Sequence, residues 1–287
     1  MKEKLLYLIL SVSLSTGRNI TSKKTAADAN CSSQFFLSQT IIFASASLLL
    51  LVFGVKEFIS VSVTTLIYGI IYGILLVLSQ WMFTVALKNG NTSVCTVVYS
   101  LGFILPTISG TLFWKEQPTL LNFIGIFVAV IIILLTAKKS ETEQKKKNRL
   151  FILYILIAMI SSGGLGIMQK VQQSSYVAYE KGAFLIIAFL FAFGCSFIGL
   201  LFHRERLSFA VSKIISPAIT GACFGGANFC NTILAGQMKS AIFFPLQNIS
   251  TILFTTLSGI FIFKERLTPK TIVILILGIV VVVLFSM

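Results

Sequence analysis

Ser109–Glu116 reads SGTLFWKE, and Ser258–Glu265 reads SGIFIFKE. The two stretches stand 149 residues apart, from 109 to 258, and share Ser, Gly, Lys and Glu at matching places. Each closes an apolar run. A second correspondence lies near the start of each half. Ser15–Lys23 (STGRNITSK) parallels Ser162–Lys170 (SGGLGIMQK) at an offset of 147, from 15 to 162, with Ser, Gly, Ile and Lys recurring. Two independent matches at nearly one offset indicate an internal duplication.

Working outward from these stretches, the chain resolves into apolar runs of about 20 residues, the length that crosses a bilayer core. Ten helices are expected, at 4–24, 35–55, 62–87, 91–113, 119–137, 150–170, 183–202, 210–235, 240–263 and 270–287. The first is the weakest, because Ser15–Lys24 is polar. Its basic start and apolar Leu5–Leu14 resemble a secretory signal peptide, but the counterpart at 150–170 argues for a resident helix. The one long hydrophilic connection, Lys138–Arg149, falls at the centre. The expected organisation is therefore 1–138 as a first five-helix repeat, 139–149 as a basic linker and 150–287 as a second repeat. Five is odd, so the second repeat enters the membrane from the opposite side. The fold class is all-α integral membrane, with two inverted repeats, an arrangement used for alternating access.

Composition supports the bilayer as solvent. Of 287 residues 56% are hydrophobic and 11% charged, and the mean hydropathy is +0.95. Soluble domains run near 45–50% apolar and about 25% charged. The net charge of +14 sits mainly between apolar runs, where it sets topology and meets anionic headgroups rather than nucleic acid. The five cysteines, Cys31, Cys95, Cys195, Cys223 and Cys230, have no disulfide or metal spacing. With one His (His203) and one Asp (Asp28), catalytic and metal constellations have almost no material. No metal, no cofactor and no catalytic residue is expected.

The Lys115-Glu116 and Lys264-Glu265 signatures each end a fourth helix, and each is followed by a fifth helix carrying a glycine, Gly125 or Gly278. With the polar first helices, Gly17 through Lys23 and Gly164 through Lys170, the chain resembles the drug/metabolite transporter superfamily, in particular its ten-helix EamA-like members. The first half departs from the pattern, since Gln117-Pro118 replaces the continuation kept as Arg266-Leu267. The resemblance implies a ten-helix basket around a central cavity, walled mainly by helices 1, 3, 4, 6, 8 and 9. The motifs are specific for the superfamily and say little about substrate.

None of the nine acidic residues falls in the middle of an expected span. An embedded carboxylate is the usual means of binding organic cations and relaying protons. Its absence argues against a proton-coupled cation-drug antiporter and against divalent-cation transport. Arg18 lies about 20 Å past Leu5 at 1.5 Å per residue, beyond the midplane of a roughly 30 Å core. It can hold a carboxylate or phosphate bidentately. The alternative is that helix 1 ends near Gly17 and Arg18 snorkels to the interface. Lys23, Lys24 and Lys170 sit near helix ends, where snorkelling is expected. Tyr72, Gln80, Trp81, Tyr99, Gln169, Asn228, Asn231, Gln247 and Asn248 form the candidate polar and aromatic lining. The competing reading of each is interhelical hydrogen bonding, which contributes only about 0.6 kcal/mol on average in membranes. Glycine pairs such as Gly221 with Gly225 permit close helix approach, and Pro106 and Pro245 permit kinks. The Lys-Glu pairs read as structural caps or gate locks.

The resemblance implies cytoplasmic termini. The 138–149 loop, with six basic and two acidic residues, and Arg204 with Arg206 pull the other way under the positive-inside rule, whereas Lys2, Lys4 and Lys56 favour cytoplasmic termini. The expectation is a multi-pass protein of the cell membrane, both termini cytoplasmic, working as a monomer on a small-molecule substrate. Its function is read as secondary transport of small anionic or zwitterionic metabolites, such as amino acids. The rivals are a multidrug exporter of lipophilic compounds, a membrane enzyme and a non-transporting membrane protein.

Overall fold

The structure, a computed structural model, describes residues 2–28, 32–59, 61–89, 95, 98–136, 149–203, 212–263 and 269–286. Among these residues all regular structure is helical. In chain order the helices are α1 (Lys2–Asp28), α2 (Ser32–Ile59), α3 (Val63–Asn89), α4 (Ile104–Trp114), α5 (Leu120–Thr136), α6 (Arg149–Ser174), α7 (Lys181–Phe202), α8 (Ser212–Gln237), α9 (Ser240–Phe263) and α10 (Pro269–Ser286). A 3₁₀ turn, Leu101–Phe103, leads into α4, and another, Ala178–Glu180, leads into α7.

Among the described residues, five stretches are long and apolar enough to cross a membrane: Ser32–Phe58, Val63–Ala86, Leu150–Ser174, Ala178–Phe202 and Ser240–Phe261. Val98–Trp114, Leu120–Leu135 and Ile272–Phe285 are shorter apolar helices. The pattern of burial suits lipid as the solvent. Large apolar side chains such as Val52, Leu112, Phe127 and Phe261 are exposed, while Gln169, Gln172, Glu180 and Thr232 are buried. In water that distribution would be reversed. In a bilayer the apolar exterior is solvated, and polar groups turn inward to find partners.

The chain divides into two compact units. The first comprises Met1–Val77 with Val171–Gln237, and the second Leu78–Lys170 with Met238–Met287. Each mixes elements from both halves of the sequence. In the first unit α2 packs on α7 and α8, and α1 packs on α8. In the second, α5 packs on α10, and α9 packs on α4 and α10. The packing units are thus a different partition of the chain from the expected repeats. The change of unit falls inside α3, inside α6 and in the short turn between α8 and α9.

Small residues permit the close contacts. A Cβ at Gly221 of α8 would collide with the Ile42 carbonyl and the Ser45 hydroxyl of α2, so only glycine allows this crossing. Gly125 of α5 faces the ring of Phe285 in α10. Helix starts are fixed by local chemistry. Thr119 and Asn122 cap α5 reciprocally, with the Thr119 N–H donating to Asn122 Oδ1 at 2.9 Å and the Asn122 N–H to Thr119 Oγ1 at 3.3 Å. This is a capping box with Asn in the place of Glu.

Candidate functional site

In the first unit three of the expected site residues, Arg18, Tyr72 and Asn228, are linked through Phe224 of α8, Arg18 by its ring and Asn228 by its backbone carbonyl. The helix α1 does not stop near Gly17. It runs through to Asp28, which places Arg18 well inside the helix and corrects the early-ending alternative. The Arg18 Cζ lies 3.8 Å from the centroid of the Phe224 ring, a cation–π contact. Asn228, one turn further along α8, donates through Nδ2 to the Phe224 carbonyl at 2.8 Å. Its Oδ1 accepts the hydroxyl of fully buried Tyr72 at 2.6 Å. The Tyr72 ring meets Phe184 edge-on at 5.0 Å, and Phe224 meets Phe189 in the same manner at 5.3 Å. Asn231 is held apart from this chain of contacts and accepts the Ser11 hydroxyl.

On the same α1–α8 seam, past Arg18, hydroxyls pair across the helices. Thr220 Oγ1 donates to Thr21 Oγ1 at 2.8 Å, and the Ser216 hydroxyl donates to the Thr21 carbonyl at 3.2 Å. Packed between the two helices, such groups satisfy one another.

In the second unit the remaining residues form a looser set. The Tyr99 hydroxyl pairs with Ser79 Oγ at 2.7 Å, and its ring lies 4.5 Å from that of Phe83. Both pack against a buried cluster of Ala86, Cys95, Ile155 and Ala158. Asn248 Nδ2 donates to the carbonyl of the adjacent Ser100 at 3.3 Å. Gln80, Trp81 and Asn248 are half-buried, and Gln169 and Gln247 are buried.

Another polar site of the second unit involves a residue the sequence assigned to the interface. Lys170 does not snorkel. It is buried, and its Nζ lies 2.8 Å from Glu116 Oε1, a salt bridge between side chains about nine-tenths withdrawn from solvent. Lys170 Nζ also donates to the Met238 carbonyl at 3.1 Å. Glu116 Oε2 accepts the Ser240 N–H at 2.6 Å, at the first residue of α9. The carboxylate therefore meets both an ammonium and the positive end of a helix. Three chain segments, the end of α4, α6 and the start of α9, are tied together here. Gly110 is required, because a Cβ there would lie 2.5 Å from Glu116 Oε2 and 2.6 Å from Ser240 Cβ. Lys115 ends α4 in the left-handed region at φ 52°, which turns the chain so that Glu116 can reach α9. Glu116 of the first Lys-Glu signature thus caps the start of α9, one of the two structural roles, cap or gate lock, expected for it. The second, Lys264-Glu265, lies outside the described residues.

Two more carboxylates do similar work in the first unit. Glu57 Oε2 accepts the Gly182 N–H at 2.6 Å at the start of α7, and Glu180 Oε2 accepts the Ser62 N–H at 3.0 Å just before α3. Sequence reasoning missed these roles and missed Phe224. A signal existed for Glu57, since Lys56-Glu57 is echoed by Arg204-Glu205 at an offset of 148, from 57 to 205. For Phe224 none did, because it is one of 26 phenylalanines.

No curated protein matches the chain. Among solved structures, 28 chains match. One crystal structure is 11% identical with a TM-score of 0.82, covering 99% of this chain and 96% of that one. At that identity the likeness shows the fold alone. The family described as Sugar transport protein matches residues 37–287, and it lies within the drug/metabolite transporter-like class. A match over most of the chain, on a lipid-suited helical protein with polar groups gathered inside its spans, places this chain in the sugar transport protein family, whose members move small molecules across membranes.

Proposed function

We propose that the protein is a secondary transporter of a sugar or sugar-derived solute, working by alternating access through ten spans arranged as two inverted repeats. The family match over residues 37–287 carries the substrate class. The residue types gathered in the spans support it. Sugar hydroxyls both donate and accept hydrogen bonds, and amides such as Asn231, Asn248, Gln80, Gln169 and Gln247 offer both functions. Trp81 and Tyr99 offer flat apolar faces to a pyranose ring. The Tyr72 hydroxyl donates to Asn228 Oδ1 at 2.6 Å and so orients that amide. The likeness of the Lys-Glu signatures to EamA-like members supports the same ten-helix cycle. One chain holding both repeats suffices as a monomer in the cell membrane, and both termini are assigned to the cytoplasm on Lys2, Lys4 and Lys56.

A second reading, an anionic or zwitterionic metabolite, is favoured by one observation. Arg18 is held inside α1 over an aromatic ring, where a cation has value if it meets a carboxylate or phosphate. A sugar acid would satisfy both readings.

Counterflow into proteoliposomes containing the full chain separates them. Labelled D-glucose, D-gluconate, L-glutamate and tetraphenylphosphonium serve as probes. Saturable D-glucose or D-gluconate exchange supports the sugar reading. Exchange of L-glutamate alone supports the second. Saturable exchange of tetraphenylphosphonium alone, absent from protein-free liposomes, refutes both and favours a multidrug exporter.

A further inference from the structure

The geometry around Arg18 points to a role for Phe224 that neither composition nor the family match assigns: we propose that Phe224 is the positioning residue for Arg18, and so sets how strongly the transporter prefers an acidic over a neutral solute. The proposal rests on the reading that Arg18 meets the anionic part of the substrate.

A guanidinium inside a membrane span is costly, and the cost falls when neighbours replace water. Phe224 supplies one such neighbour in the form of its ring face, 3.8 Å from Cζ. With Cζ over the ring at that distance, the ring face forms one wall of the guanidinium's site. The position of the cation is therefore set by the position of the ring. The ring is itself fixed. Phe224 is buried, and Phe189 meets it edge-on at 5.3 Å with the planes at 83°. Its carbonyl is held by Asn228 Nδ2, whose Oδ1 is taken by Tyr72. Cys223, the residue before it, faces Gly17, the residue before Arg18: a Cβ on Gly17 would lie 3.2 Å from Cys223 Sγ. Glycine at 17 thus lets α1 approach α8 closely enough for the stack. The observations form one chain, from Tyr72 through Asn228 and Phe224 to Arg18. The remote members hold the α8 backbone at Phe224, Phe189 packs its ring, and the ring positions the cation.

The test needs a readout that simple loss of packing would not move. The chain has five arginines, Arg18, Arg149, Arg204, Arg206 and Arg266. In the full chain labelled at arginine ¹³Cζ, the ring current of Phe224 should displace one signal upfield. That displacement should vanish in Phe224→Leu and in Arg18→Lys, and survive in Phe224→Trp. A wild-type spectrum without a displaced signal, or one unchanged in Phe224→Leu, overturns the proposal. The functional arm compares D-gluconate with D-glucose as thermal stabilisers of the purified chain. A cation–π contact of the usual strength predicts that Phe224→Leu raises the half-stabilising D-gluconate concentration about threefold to tenfold. D-glucose should be unaffected, and Phe224→Trp should restore D-gluconate. Equal weakening of both ligands in Phe224→Leu also overturns it. If D-gluconate fails to stabilise the wild type at all, the substrate role of Arg18 falls, and with it the selectivity claim. The displaced signal then still decides whether Phe224 positions the cation.

Discussion

Replacing Glu116 by Gln tests whether the Lys170–Glu116 pair holds the second unit together. The change keeps the size and an acceptor oxygen for the Ser240 N–H, but it removes the charge 2.8 Å from Lys170 Nζ. The Lys170 ammonium then stays buried against the Met238 carbonyl at 3.1 Å. Removing one member of a buried pair costs about 3–5 kcal/mol. The surviving carbonyl contact argues for the lower end, about 3 kcal/mol. Lys170→Met leaves Glu116 with the Ser240 N–H at 2.6 Å and the Ser240 hydroxyl at 3.4 Å, so that change should cost less, about 2 kcal/mol. The double variant removes both charges and strands neither, so only packing and the helix cap are lost, again about 2 kcal/mol. The coupling is then about 3 kcal/mol. At about 2–4 °C per kcal/mol, Glu116→Gln should lower Tm by about 6–12 °C, and the double variant by no more than the single. A thiol-reactive dye reports the transition in detergent, because Cys95 and Cys230 are buried and free. A Glu116→Gln protein within about 1 °C of wild type, or a double variant equal to the sum of the singles, would refute the reasoning.

Three further outcomes follow from the same contacts. Gly110→Ala should lower stability by about 1–3 kcal/mol through overpacking against Glu116 and Ser240, while Gly194→Ala, which has open space at its Cβ, should not; paired melting curves decide. Lys115→Gly relieves a left-handed backbone and should raise Tm, with a gain of about 1 kcal/mol; a fall would show that the Lys115 side chain matters more than its φ of 52°. Tyr72→Phe leaves Asn228 Oδ1 without its buried donor and should cost about 1 kcal/mol, and combined with Asn228→Ala the losses should fail to add.

The division of labour between sequence and tertiary structure is visible residue by residue. Helix positions were legible because a bilayer admits few backbone arrangements, so an apolar run of the right length reads as a helix. The span 240–263 coincides with α9, and most other ends agree within a few residues. A structural role for Lys115-Glu116, as cap or gate lock, was legible from its place at a helix end; that Glu116 caps α9 was not. Arg18 was legible as unusual, since a cation that deep demands a partner. The partner was not. Which of 26 phenylalanines lies under it depends on how α1 crosses α8. Lys170 was misread for the same reason. By sequence it is a lysine near a helix end, and its burial depends on Glu116 lying 54 positions earlier, from 170 back to 116, and on the start of α9. Local rules of length, hydropathy and helix termini act within a few residues of each position, and the sequence alone fixed those. Long-range pairing of the few polar groups is set by helix packing, and only the tertiary structure decided it.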